Sequence, residues 1–224
     1  MGRDKSPRER QRRQLERKLG RRAGYDRILI VSEGSKTEPN YFKEIRAEYR
    51  LHSTNIEVQP GALGTEPIQV VNYACELFEK GDRRKGIRPR AFEQVYAVFD
   101  RDAHRTYHKA LDRARALDGR LRNDLKQPVK FAAIPSRPSF EFWLLLHFED
   151  VRHLIHRDEA TRRLKLHLPG YAKGYGKAFA QTKSELQTAI GRARALERRA
   201  DPADDHEPCT GVVELVELLQ NLKN

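Results

Sequence analysis

Two aspartates separated by one residue are the side chains of this chain best suited to chemistry. Residues 95–99 have the composition of a short strand buried on both faces, and Asp100 and Asp102 come where that strand ends. Carboxylates two positions apart on a strand point to the same side of the sheet. Oxygen ligands in that arrangement suit a hard cation such as Mg²⁺. The pair therefore predicts a metal site, provided that other strand ends bring further carboxylates to the same place.

Two more acidic residues follow predicted strands. Glu33 comes directly after the strand at 27–32, and Glu141 follows the strand at 129–134. If these strands are parallel neighbours, the acids meet at the carboxyl edge of the sheet, where ligands usually bind. Carboxylates brought together repel one another unless a cation neutralises them, so convergence predicts a divalent metal ion. Such an ion could polarise a phosphodiester, activate water and stabilise the leaving oxygen.

Each of these acids also has a simpler interpretation. Glu33 could be a solvated turn residue, and the aspartate pair could cap the helix that follows it. Glu141 could be a first-turn charge favoured by a helix dipole. The distances between the carboxylates therefore decide between one metal centre and several unrelated acids.

The elements that must position these residues alternate between strands and helices. The composition predicts strands at 27–32, 56–59, 94–99 and 129–134, and helices at 39–49, from 65–67 to 78, 105–123 and 139–148. This alternation predicts an α/β fold with a mainly parallel sheet flanked by helices. Beyond residue 150 the sequence predicts a helical elaboration, with helices at 151–167, 181–199 and 211–222, a Gly/Tyr/Lys loop at 168–177 and an acidic loop at 201–209.

The charge of the chain is unevenly distributed. Of a net charge of +12, much belongs to residues 1–24, which hold ten Lys or Arg against three acidic residues. We predict a disordered basic arm at 1–24, an α/β core at 25–150 and a mostly helical extension at 151–224 that packs on the core. The arm favours nucleic acid through salt-dependent contacts with phosphate, although a solvated tail is the simpler alternative.

Composition also excludes several classes of protein. No apolar run approaches the length that spans a membrane, and the basic amino terminus lacks the apolar stretch of a secretory signal. The two cysteines, Cys75 and Cys209, predict neither a disulfide framework nor a zinc site. These features predict a cytoplasmic protein without a membrane partner, and they leave a homo-oligomer open.

Three segments of the chain resemble the sequence blocks of RloB proteins. They are residues 31–42, 98–102 and 136–148, and the resemblance extends over roughly residues 25–222. RloB proteins belong among the Toprim-domain proteins, which are related to OLD-family nucleases. The resemblance therefore implies a Toprim-like, Rossmann-like fold. Arg137 departs from the pattern, because relatives often have Asn there, and this implies a change in substrate contacts.

The resemblance also implies a function. Glu33, Asp100 and Asp102 match the Toprim acids that surround Mg²⁺, and Glu141 matches the additional acid of the OLD-like branch. The implied activity is metal-dependent cleavage of DNA or RNA with Mg²⁺ or Mn²⁺. The implied setting is prokaryotic antiviral defence with a partner ATPase of the AAA or ABC type.

Basic residues near these motifs are candidates for phosphate contacts. The loop at 170–177 offers Lys173 for the scissile phosphate and Lys177 for nucleic acid, with backbone amides freed by its glycines. Lys36 and Arg137 are two further candidate contacts. The loop does not match a P-loop, so we reject an ATPase, and a plain surface loop stays open.

Two other functions compete with a nuclease. A non-catalytic nucleic-acid-binding or sensor module would use the arm and keep the acids as a structural metal site. A haloacid dehalogenase-type phosphatase also carries Asp-x-Asp, but there the pair normally follows the first strand, and here it follows the third. His104 and His108 have the spacing of zinc ligands without an evident third ligand, and His104 could instead assist proton transfer.

Overall fold

The computed structural model describes residues 24–62, 64, 66–101, 104–172, 174–199 and 207–223. Within these ranges the chain forms one mostly parallel sheet of five strands in the order β2-β1-β3-β4-β5. The strands are β1 (Ile28–Ser32), β2 (Ile56–Pro60), β3 (Gln94–Asp100), β4 (Lys130–Arg137) and β5 (Cys209–Thr210). The first four are parallel and β5 is antiparallel to β4. The predicted α/β class is confirmed, and the architecture is Rossmann-like.

Eight α-helices connect or cover these strands in the described part of the chain. They are α1 (Thr37–Glu48), α2 (Pro67–Lys80), α3 (Tyr107–Leu117), α4 (Phe140–Leu145), α5 (Arg157–His167), α6 (Ala178–Thr182), α7 (Leu186–Arg199) and α8 (Val212–Asn221). A short 3₁₀ helix at Lys183–Glu185 joins α6 to α7. Among the described residues, no helix combines the length and the apolar character that crossing a membrane would require.

The core lies on both faces of the sheet, because every residue of β1 is buried. Leu29 and Val31 face a cluster that contains the apolar sides of α2 and α3. Ile28 and Ile30 face a larger cluster with α1 and with α4 to α8, in which Trp143 is fully buried. Alternate residues of a strand point to opposite faces, so a five-residue apolar run serves both clusters.

The helix predicted at 105–123 is shorter in the structure and ends at Leu117. Asp118 leaves the helical conformation with ψ 127°, and Gly119 adopts φ +65°. The carboxylate of Asp118 accepts a hydrogen bond of 2.9 Å from the amide of Phe131, and the amide of Gly119 donates to the carbonyl of Val129. Hydrogen bonds to the start of β4 therefore form in place of a further turn of the helix.

The carboxy-terminal region also differs from the expectation. The acidic loop predicted at 201–209 ends in β5, where Cys209 and Thr210 pair with Arg137 and Ser136. Two residues give no strand pattern in a sequence, so only the pairing reveals the element. Residues 1–23 and 201–206 lie outside the described ranges, and the division into arm, core and extension stays a prediction.

Candidate functional site: a carboxylate cluster at the carboxyl edge

Glu33 and Asp100 meet because the strands that carry them are neighbours. β1 pairs with β3 so that Ser32 lies opposite Val98. The amide of Glu33 donates a hydrogen bond of 2.8 Å to the carbonyl of Val98, which continues the ladder by one residue. The carboxylate of Glu33 then accepts a hydrogen bond of 3.0 Å from the amide of Asp100. The two acids are thus held together at the carboxyl edge of the sheet.

Asp100 lies among several negative charges. The pKa of its carboxyl group is raised well above the ordinary value, first by burial and then by the charges of Glu38, Glu33 and Glu141. The guanidinium of Arg157 partly offsets this rise. We call Glu33, Glu38, Asp100 and Glu141 the carboxylate cluster. Glu33, Glu38 and Glu141 are therefore all near enough to act on the charge of Asp100, and the first and last of them are acids that the sequence predicts for the site.

The fourth acid, Glu38, was not among the predicted site residues. It lies in the first turn of α1 and is only 8% exposed. Its carboxylate lies so close to Gly34 that a Cβ at position 34 would overlap it. An acid in a first turn is usually explained by the helix dipole, so the sequence offered no reason to place Glu38 in a buried site.

Glu141 is held by a hydrogen bond at each carboxylate oxygen. The hydroxyl of Ser139 donates to Oε2 at 2.8 Å, and the hydroxyl of Tyr171 donates to Oε1 at 2.9 Å. Tyr171 is 3% exposed, and burial and the nearby charge of Glu141 raise the pKa of its phenol. The Gly/Tyr/Lys loop is predicted to bind phosphate. In the structure its Tyr171 donates a hydrogen bond to an acid of the carboxylate cluster.

On the other side of Glu33 lies His104, whose ring is placed between two carboxylates. Its Nδ1 is 3.2 Å from Oε1 of Glu66, and its Nε2 is 3.7 Å from Oε1 of Glu33. His104 precedes α3, which begins at Tyr107, so it does not share a helix face with His108. Glu66 was missed at the sequence level, because it lies in a different connection and only the fold brings it near.

The predicted basic contacts have different surroundings. Lys36 is exposed and its stem lies against Gly174, while Lys177 is exposed where α6 begins. Arg137 is buried, and its Nε donates to Sγ of Cys209 at 3.1 Å. A role for these residues in binding nucleic acid stays a prediction. Arg157 is a basic residue near the cluster that the sequence did not single out.

Two predicted site residues, Asp102 and Lys173, lie outside the described residues. In the part of the chain that the structure describes, no group of three His, Cys, Asp or Glu side chains has the arrangement of a metal centre. The predicted metal roles of Glu33, Asp100, Asp102 and Glu141 therefore stay predictions.

The fold and this site define the class of protein: a Rossmann-like α/β protein with acids gathered at the carboxyl edge of its sheet. The family model for RloB-like proteins matches residues 28–219, which is most of the chain. The chain therefore belongs to the RloB-like family. Comparisons with curated proteins and with solved structures give no match.

Proposed function

We propose that the protein is a metal-dependent nuclease that cleaves phosphodiester bonds in DNA or RNA. The observation that carries this proposal is the position of Asp100, half-buried at the edge of the sheet, hydrogen-bonded through its amide to Glu33 and with three carboxylates, Glu33 among them, acting on it. Burying like charges together costs free energy, and proteins accept that cost mainly at functional sites. Three of the four charged groups that act on Asp100 are acids, which supports a cation near it.

The chemistry of these donors favours Mg²⁺ or Mn²⁺, although the described residues alone do not complete a metal centre. The cluster consists of carboxylates, and hard divalent cations prefer such oxygen ligands. Glu33, Asp100 and Glu141 would hold the ion together with Asp102. The ion would supply a Lewis acid for the phosphodiester and a lowered pKa for a bound water.

The residues around the cluster have supporting roles in this proposal. The hydrogen bond from the Asp100 amide fixes one oxygen of Glu33, and Ser139 and Tyr171 fix Glu141. Lys36 and Lys177 are exposed and suited to phosphates of the nucleic acid, and Lys173 is the proposed contact for charge that develops on the scissile phosphate.

The wider setting of the proposal rests on the family. RloB-like membership supports a Toprim-type site and an effector of prokaryotic antiviral defence that acts with an AAA or ABC-type ATPase. A partner that gates activity would leave the isolated chain weakly active. The activity assay therefore needs both the chain alone and the chain with a partner ATPase of the proposed type.

The test is cleavage of labelled DNA and RNA, single- and double-stranded, by the full chain with Mg²⁺ or Mn²⁺. Asp100→Asn should lower the cleavage rate by at least about 100-fold, because a ligand and its charge are lost. Asp112→Asn is the matched control, since Asp112 lies on the exposed face of α3 and pairs with Arg115. It should cleave like the wild type.

Two outcomes would contradict the proposal. Full cleavage by the Asp100→Asn variant would show that the carboxylate cluster does not take part in the reaction. Tight, salt-sensitive nucleic-acid binding without cleavage under any of these conditions would instead support the non-catalytic binding module.

A further inference from the structure

The connection between α2 and β3 is a compact turn with a large excess of positive charge. Residues 82–90, which we call the basic turn, hold five Lys or Arg against one acid. Lys85 already has a partner, because its ammonium group donates to the hydroxyl of Tyr73 at 2.7 Å. The other four are exposed arginines, and no carboxylate of the described residues lies within ion-pair distance of them: Arg83, Arg84, Arg88 and Arg90. Their guanidinium groups are therefore available to an anionic partner.

The basic turn is held in one conformation by the chain itself. The backbones of Asp82 and Ile87 exchange hydrogen bonds of 2.9 and 2.8 Å, and the carboxylate of Asp82 accepts the amide of Arg84 at 2.9 Å. Gly86 supplies the positive φ of 72° at which the chain reverses. Ile87 is 4% exposed and packs into the core cluster that contains the apolar side of α2. A backbone fixed in this way presents the guanidinium groups with little entropic cost of ordering the turn, which favours binding.

A second connection adds positive charge at the same edge of the sheet. Residues 118–130, which lead from α3 into β4, hold four Lys or Arg against two acids. The amide of Asp124 donates to the carbonyl of Arg90 at 2.7 Å, so the two connections are in direct contact. Asp124 also binds the guanidinium of Arg27, and Asp118 accepts a backbone amide, so both acids already have partners within the fold. All four basic residues are exposed: Arg120, Arg122, Lys126 and Lys130. The amino edge of the sheet therefore presents basic residues to solvent, whereas the carboxyl edge gathers acids.

The most basic segment of the sequence joins the sheet beside the basic turn. Residues 1–24 hold ten Lys or Arg, and they lead into β1, which begins at Ile28 on the amino edge. The hydroxyl of Tyr25 accepts a hydrogen bond from the amide of His52, which lines a cavity together with residues 86–88 of the turn. Residues 1–24 carry the same sign of charge as the turn, so they are unsuited to neutralise it. Both attract the same class of partner.

We propose that the basic turn, together with the exposed basic residues of 118–130, binds the phosphodiester backbone of nucleic acid. A guanidinium group matches two phosphate oxygens with parallel hydrogen bonds, and arginine outnumbers lysine four to one in the turn. Positive charge that extends over two connections and adjoins residues 1–24 suits a polyanion better than a single anionic group. This inference rests on the proposed nucleic-acid partner and not on cleavage.

The surface is separate from the carboxylate cluster. The basic turn precedes β3, whereas Asp100 ends that strand, so the seven residues of β3 lie between them. At about 3.3 Å per residue, the separation is roughly 20 Å. Variants of the turn therefore leave the acids of the cluster in place, and binding and cleavage can be tested independently.

The test measures binding of the full chain to labelled DNA and RNA of about 30 nucleotides, by fluorescence anisotropy in EDTA over a series of salt concentrations. The triple variant Arg83→Gln/Arg84→Gln/Arg88→Gln removes three of the exposed charges. Its affinity should fall about 10- to 100-fold. The slope of log affinity against log salt concentration should become shallower by about 2 to 3, because each lost phosphate contact releases about one counterion fewer.

The matched control removes the same amount of charge elsewhere on the surface. The triple variant Lys165→Gln/Arg198→Gln/Arg199→Gln changes three exposed basic residues of α5 and α7. It should lower the affinity by less than about threefold and leave the salt slope unchanged. Circular dichroism of both triple variants checks that the fold is retained.

Four outcomes decide the inference. Equal losses of affinity in the two triple variants would overturn it, because they would reflect net charge and not this surface. Binding of polyglutamate that depends on the turn, with nucleic-acid binding that does not, would overturn it in favour of an acidic protein. A wild-type chain that binds nucleic acid through the turn but cleaves none would support it and contradict only the proposed nuclease. A wild-type chain that binds no nucleic acid would overturn both.

Discussion

The two edges of the same parallel sheet treat buried charge in opposite ways. At the amino edge, Arg27 is 5% exposed and donates to Glu93 at 3.0 Å and to Asp124 at 2.7 Å. Burial by itself would lower the pKa of Arg27, but hydrogen bonds to both acids outweigh it and raise the pKa. Here two carboxylates and a guanidinium satisfy one another, which is the requirement for a buried ionic network that supports the fold.

At the carboxyl edge, acids outnumber bases among the charges that act on Asp100. Asp100 is half-buried with Glu33, Glu38 and Glu141 acting on it, and the charge of Arg157 acts in the opposite direction. Burial and carboxylates are present at both edges, so neither feature alone marks a site. The difference lies in the sign of the charges that act on the central group. They are opposite in sign to Arg27 at the amino edge, whereas three of the four that act on Asp100 are acids, and such a field favours a cation.

The largest expected effect is on stability at the amino edge. Arg27→Met leaves Glu93 and Asp124 without their guanidinium and should lower the free energy of unfolding by about 3 kcal/mol. Urea unfolding followed by circular dichroism measures it. The matched control is Arg194→Met, because Arg194 also contacts two acids, Glu197 and Glu217, but its side chain is 29% exposed against 6% for Arg27. It should cost less than about 1 kcal/mol. Equal losses would show that burial does not distinguish the two networks.

The second prediction has the opposite sign and concerns the carboxyl edge. In metal-free buffer at neutral pH, Asp100→Asn should raise the free energy of unfolding by about 1 kcal/mol, because it removes a half-buried acid whose charge its neighbours repel. Asp112→Asn should change it little. Destabilisation by Asp100→Asn would mean that the cluster is already neutralised within the chain, as the amino edge is.

The pH dependence of stability follows from the same raised pKa. Between the unfolded-state aspartate pKa of about 3.9 and the raised folded-state pKa, the folded protein holds a proton that the unfolded chain has released. The contribution of Asp100 to the free energy of unfolding is therefore fully present below about pH 4, and it is lost as the pH rises through the folded-state pKa. Asp100→Asn should remove this component from a metal-free pH series, and a series unchanged by the variant would contradict it.

The sequence was most informative where strands are long and apolar. The apolar runs of β1 and β3 predict the parallel core correctly. Glu33 and Asp100 stand at the carboxyl ends of these two strands, so the sequence also predicts that they lie close together. The end of a strand is a local feature, so its acid can be identified from neighbouring residues alone.

The rest of the site depends on contacts between distant parts of the chain. Glu38 joins the cluster because Gly34 leaves room beside it, and Glu66 reaches His104 across 38 positions of sequence. Tyr171 supports Glu141 from the loop before α6, 30 positions away. None of these pairings has a periodic pattern, so each becomes visible only when the elements are packed.

The smallest effect should come from Tyr171, whose support for Glu141 comes from a neutral hydroxyl. Tyr171→Phe removes one donor and should lower the free energy of unfolding by about 1 kcal/mol. If Glu141 ligates the cation, Mn²⁺ affinity should also fall about 10-fold, because partners of ligating carboxylates tune metal binding. Tyr175→Phe is the control from the same loop, since its hydroxyl donates to Gln181 at an exposed position, and it should change neither quantity. A Tyr171→Phe variant that loses stability but keeps its Mn²⁺ affinity would mean that Glu141 stabilises the fold without binding the cation. The acids at the carboxyl ends of β1 and β3 would then be the remaining ligands.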